Sequence, residues 1–165
     1  MGPRLEYYVK GGFYRTTGDG TYAQWQLYNN TDNKIYSKFS NSDTVLWEDA
    51  SVNDNPIISR QLNKNAATIL GYSCDELIFT CKNETQKYYF NSKISMDPTL
   101  YADLKYGNWD EYIKQTKSIP LKIIFEDGEF TMESAATEIK PMKLDYKEFK
   151  LPENAITAKK QTSSK

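Results

Sequence analysis

Few residues of this chain could do chemistry, and histidine is not among them. Without an imidazole, Ser-His-Asp and Cys-His machinery is closed, as are the usual neutral-pH general base and the commonest zinc ligand. Two cysteines remain, Cys74 and Cys81, seven positions apart. Cys74 could be lipidated, bind a metal or exchange disulfides, but a lone cysteine after an apolar run is more often a small buried side chain. In one continuous strand an odd spacing sends the pair to opposite faces, beyond disulfide reach. A bulge between them would restore a shared face without bringing them close. Both read as free or buried thiols.

Carboxylates and amides offer little more. Asp49, Asn53, Asp54 and Asn55 carry hard oxygens suited to calcium, yet they lack the ligand spacing, turn glycine and closing glutamate of an EF-hand loop. Ordinary loop chemistry accounts for them. Asp97, Asp103, Asp110 and Glu111 include no carboxylate pair beside a nucleophile or base. Glu126 and Glu129 span a turn, and a solvated hairpin explains them better than a glycosidase pair. No catalytic residue, metal or cofactor is expected, and the chain reads as non-enzymatic.

The elements that would position any site read as mainly β. The chain has 165 residues, enough for one domain with a real core. Its net charge of −1 leaves no broad footprint for nucleic acid, and none is expected as a partner. Aromatics make up 14%, with 13 tyrosines, a bias toward cross-strand pairs and half-polar sheet faces. No run approaches the ~18 apolar residues of a membrane helix.

The first half reads as a meander. Alternating apolar positions at Leu5, Tyr7 and Val9, then Ala23, Trp25 and Leu27, then Ile35 and Phe39, then Val45 and Trp47, are separated by turn signals at 11–12, 18–20, 29–33 and 40–43. Residues 48–65 are polar and loop-like, with a short strand or helical turn possible within 57–62. Gly71, embedded in an apolar run, reads as a strand corner that bends the sheet. Leu77 and Phe79 resume the alternation, followed by residues 87–90.

Period two fails over 97–117. There Leu100 and Leu104 are four apart, and Trp109, Tyr112 and Ile113 follow helical spacing. Two short helices split at Gly107-Asn108 are predicted. Strands return at 119–125 and 130–139 around a hairpin turn at 126–128, and a last one is expected at 144–149. The tail, 153–165, lacks aromatics and is predicted to be disordered.

Five segments in order, Thr68-Ile-Leu-Gly-Tyr-Ser-Cys74, Lys87-Tyr-Tyr-Phe90, Ile119-Pro-Leu-Lys122, Ala136-Thr-Glu-Ile139 and Phe149-Lys-Leu-Pro152, carry a family resemblance. The chain resembles a group of uncharacterised, exported bacterial domains distantly similar to the lipoprotein carriers LolA and LolB. The resemblance spans roughly residues 5–152, a single LolA-like domain over 1–152. It implies an α+β, mainly β fold in which a curved antiparallel sheet forms an incomplete barrel and short helices cover its concave face. It also implies a periplasmic or outer-membrane-associated location, with an export signal upstream of the abrupt start at Leu5. No match to the arginine that the carriers use in lipoprotein handling is present.

On that reading Trp25, Leu27, Phe39, Trp47, Phe79, Phe90, Leu100, Leu104, Trp109, Ile123 and Phe125 form the wall or lid of a ligand cavity, and the same residues would be plain core in a closed structure. The expected partner is a lipid, acyl chain or lipoprotein, bound in the concave face. The alternative is an interaction or sensor module with a self-filled core, docking an envelope protein. An apolar pocket of about 300 Å³ or more beneath the 97–117 helices separates the two.

Overall fold

A computed structural model describes residues 5–18 and 23–160. The expected turn at 18–20 falls largely outside them. The chain is mainly β with a few short helices, but its strands belong to two sheets, neither closed into a barrel. It divides into two compact units, Met1–Ser51 with Met142–Lys165, and Val52–Pro141.

In the first unit, β1 (Leu5–Lys10), β2 (Phe13–Gly18), β3 (Ala23–Asn29), β4 (Lys34–Phe39) and β5 (Thr44–Asp49) pair antiparallel in sequence order. The β1–β2 turn is Gly11-Gly12, both at positive φ (53° and 87°), as a two-residue hairpin loop matched to strand twist requires. Leu27, Tyr36 and Val45 form the buried core of this unit with Phe149, and Tyr8, Phe13, Trp25 and Trp47 pack against it.

Phe149 arrives from the other end of the sequence. Residues 144–149, expected as a strand, instead include a 3-10 turn, Tyr146–Phe149, capped by the Asp145 side chain accepting from Lys147 N. Lys10 donates to the Leu144 carbonyl, Arg15 pairs with Glu148 at 3.4 Å, and the Phe13 ring meets Tyr146 and Phe149 at 5.5 and 5.8 Å. Beyond it β11 (Ile156–Lys159) pairs parallel with β5, so part of the supposed disordered tail is the sixth strand of the sheet. All four of its side chains are exposed, which is why no hydrophobic signal announces it: backbone hydrogen bonds hold the strand there.

In the second unit, β6 (Ile57–Ile69), β7 (Tyr72–Cys81), β8 (Thr85–Phe90), β9 (Lys122–Glu126) and β10 (Thr131–Ala135) form a five-stranded antiparallel meander. β6 replaces the loop reading over 57–65 and extends well beyond the short strand considered within 57–62, while residues 50–56 are loop as expected. It is the longest strand, and most of its side chains are exposed because it is an edge, so it needs no alternation to bury. Gly71 is corrected as well. Ile69 pairs directly with Tyr72, and Leu70 and Gly71 (φ 51° and 81°) are the two central residues of a tight hairpin turn, not a bend within one strand.

The helical segment is a 3-10 turn at Pro98–Tyr101, a second at Tyr106–Asn108, and α1 (Trp109–Thr116). The split expected at Gly107-Asn108 falls where both residues take positive φ, 61° and 67°, which no helix can continue through.

Candidate functional site

In the second unit, cross-strand neighbours Leu77, Tyr88 and Ile123 and their flanking pair Phe79 and Phe125 present one apolar face. Helix α1 lies on it. The Tyr88 ring sits 4.3 Å from that of Tyr112, 5.7 Å from Trp109, and 5.8 Å from both Phe79 and Phe125. Such ring pairs add to the area they bury through offset and edge-on geometry. Tyr88, Tyr101, Leu104, Tyr112 and Ile113 are all essentially inaccessible, so the space beneath the helical segment is occupied by the protein's own side chains.

One end of this core is polar and closed. Asn108, 1% exposed, donates through Nδ2 to the Asn55 carbonyl at 2.9 Å and to Gln86 Oε1 at 3.2 Å, and lies 3.5 Å from Cys81 Sγ. Its Oδ1 accepts from Asn53 Nδ2 at 2.7 Å. Gln86 in turn accepts from the Tyr88 hydroxyl and donates to Glu84, which also accepts from Asn55. The amides considered as calcium ligands thus serve to tie the 52–56 segment to β8 and the helical segment. Buried polar groups that satisfy one another avoid a desolvation penalty of about 1–3 kcal/mol each.

Both thiols are neutral groups, Cys81 beside this network and Cys74 near the start of β7. Burial, and then the Glu84 charge, push the Cys81 thiol up to about 11, and burial raises Cys74 as well. Both are buried and free. A nucleophile needs the thiolate, so neither is primed for attack.

Beyond the C-terminal end of α1 the same unit opens into a cleft of about 510 Å³, lined by Leu62, Leu77 and Phe90 and by polar residues that include Lys64, Asn65, Asp75, Asn91 and Gln115. The first unit holds a cleft of about 300 Å³ between the sheet and the 146–151 segment. Phe13, Leu27, Tyr36, Tyr146, Phe149 and Leu151 line it, with Asn29, Asp32 and Lys150 as its polar members. Tyr36 donates its hydroxyl to Asp32, and burial together with that bond raises the phenol well above its ordinary range.

The eleven residues expected to form one cavity wall divide between the units. In the first, Leu27 is core and lines the cleft, Trp25 and Trp47 pack against the core, and Phe39 is half-buried with the Lys160 ammonium 6.0 Å from its ring centroid. In the second, Phe79, Leu104 and Ile123 are buried, and Trp109 and Phe125 flank Tyr88. Phe90 is buried against Tyr112 while lining the polar cleft, and Leu100 is exposed.

Of the residues that line the clefts, Leu27, Leu77 and Phe90 are inward strand positions in the sequence pattern, and most of the others are not marked by it. Phe149 and Leu151 had a signal in the Phe149-Lys-Leu-Pro152 segment. Tyr36 has none, because it alternates with the expected apolar positions of its strand. Comparison of the chain with family models, with curated proteins and with solved structures finds no match in any of the three. No helix among the described residues is long and apolar enough to cross a membrane.

Proposed function

We propose that the protein is a non-enzymatic binding domain that takes an apolar group, an acyl chain or a lipidated segment, into the cleft of its first unit. The observation that supports this is the lining. Six apolar or aromatic side chains surround about 300 Å³, at the lower end of ligand-pocket volumes, with Asp32 and Lys150 available to orient a polar head. The expected lipid site beneath the helical segment is not part of the proposal, because that space is filled. A bacterial envelope location and kinship with LolA-like carriers belong to the same proposal and rest on the sequence resemblance alone.

A second reading, a protein-interaction module with no small-molecule ligand, draws on the filled interior of the second unit. Native mass spectrometry of the purified chain, before and after incubation with palmitate and with phosphatidylethanolamine micelles, separates the two. Retained lipid mass that falls in Tyr146→Ala, a change at the cleft rim, supports lipid binding. A bare chain under all conditions sinks it in favour of the interaction module.

A further inference from the structure

We infer that the polar cleft of the second unit is a binding site for a neutral saccharide. This goes beyond the apolar cleft of the first unit and does not depend on it. The floor is apolar, made by Leu62, Leu77 and Phe90, while the walls carry amides, hydroxyls and one ion pair. Lys64 Nζ lies 3.2 Å from Asp75 Oδ2, so the one cation and one anion among the lining residues offset each other and favour an uncharged ligand. A phosphorylated ligand would need unpaired cations or a ring of backbone N–H groups, and an acyl chain would leave the polar walls unsatisfied. Sugars offer what the lining requires: vicinal hydroxyls that both donate and accept, and C–H faces that rest on apolar side chains.

The walls are held in place before any ligand arrives. Asn63 pairs with Glu76 and Ala67 with Cys74, so residues 64–66 of β6 face Asp75 alone, a bulge of the kind that re-aims side chains beside sites. Within it Asn65 adopts φ 51°, its backbone N–H donates to Asp75 Oδ1 at 2.9 Å, and its Oδ1 accepts from Ser73 Oγ at 3.1 Å. Asn91 donates to the Ser73 carbonyl at 2.7 Å and accepts from Lys93 N at 2.9 Å. The Asn65 amide N–H groups take no part in these bonds and remain to meet a hydroxyl. Side chains fixed by such supporting bonds lose little freedom on binding. Gln115, in the last turn of α1, adds a further side-chain amide to the lining.

The test is ¹⁵N-resolved NMR titration of the full chain with maltotriose, cellobiose and N,N′-diacetylchitobiose, and with glucose 6-phosphate as the charged control. The expected result is saturable shifts of the Asn65, Asn91 and Gln115 amides with at least one neutral sugar. In Gln115→Ala combined with Ser92→Ala, two positions outside the supporting bonds above, affinity should fall about tenfold while the rest of the spectrum shows the fold intact. Absence of saturable shifts with every neutral sugar overturns the inference. So does tighter binding of glucose 6-phosphate that Lys64→Gln abolishes. Lipid retention in the first unit bears on neither outcome, so the two proposals fail separately.

Discussion

Replacing Gly71 isolates the backbone cost of the hairpin turn that joins the two longest strands. An ideal Cβ at Gly71 meets nothing within 4 Å, so alanine or valine introduces no collision. What remains is conformation. At φ 81° an L-residue carries about 1–2 kcal/mol of strain, and a β-branched one about 2–3, offset in part by the smaller freedom of the unfolded chain. Gly71→Ala should therefore destabilise the second unit by about 1 kcal/mol and Gly71→Val by about 2. For a unit of about 90 residues, 1 kcal/mol corresponds to about 4–8 °C in Tm, or about 1 M in urea midpoint.

Leu70 makes the converse experiment possible. It sits at φ 51° and is 44% exposed, in a position where Asn-Gly is the favoured pair. Leu70→Asn should raise stability by about 0.5–1 kcal/mol, the relieved strain less the lost apolar contact. Urea unfolding with constant m, together with hydrogen exchange of peptides from β6 and β7, reads both effects. If Gly71→Val unfolds at the wild-type midpoint, the turn does not carry this strain and the account of the hairpin is wrong.

Asn108→Ala should cost about 2–4 kcal/mol, because Asn53, Gln86 and the Asn55 carbonyl lose a buried partner and an αL position loses the residue that tolerates it; a urea midpoint within error of wild type would refute the network's role. Phe149→Ala should cost about 3–5 kcal/mol and raise hydrogen exchange through β2 and β3, since this ring fills the first unit's core; exchange confined to residues near 149 would show that the segment is not a structural part of that unit. Stability of the second unit should be full below about pH 9 and fall as pH rises toward 11 and above. The Cys81 thiol is held at about 11 and the buried Tyr88 and Tyr112 hydroxyls are raised by burial, so the unfolded chain releases these protons first. A urea midpoint unchanged from pH 8 to 10.5 would contradict it.

Where a structural choice is local, the sequence was legible. Turn residues such as Gly11-Gly12 and 126–128 bracket strands because positive φ and the Asp127 carboxylate accepting from Glu129 N and Phe130 N are short-range effects. Helical spacing found Tyr112 and Ile113 for the same reason. The sequence suggests no more than a short strand where β6 runs, because an edge strand whose side chains, such as Ser59 and Gln61, stay exposed buries almost nothing. Nothing local marks β11 as a strand, because its partner β5 lies more than a hundred positions away. Gly71 stands out in the sequence, but glycine at positive φ serves a bend or a turn equally, and only the pairing of Ile69 with Tyr72 decides between them.

By itself, then, the sequence determined that this protein is mainly β, built from hairpins, with a helical segment carrying aromatic residues and no imidazole chemistry. Those properties follow from periodicity, turn propensity and composition, which act over a few residues. Tertiary structure alone decided that the aromatic residues fill the space under the helices and that Phe149 returns to complete a core begun at Tyr8. It also decided that the two clefts are lined by residues distant in sequence. Hydrophobic pattern says which side chains leave water, but it cannot say whether they meet one another or leave a space, because that depends on how closely the elements that carry them approach.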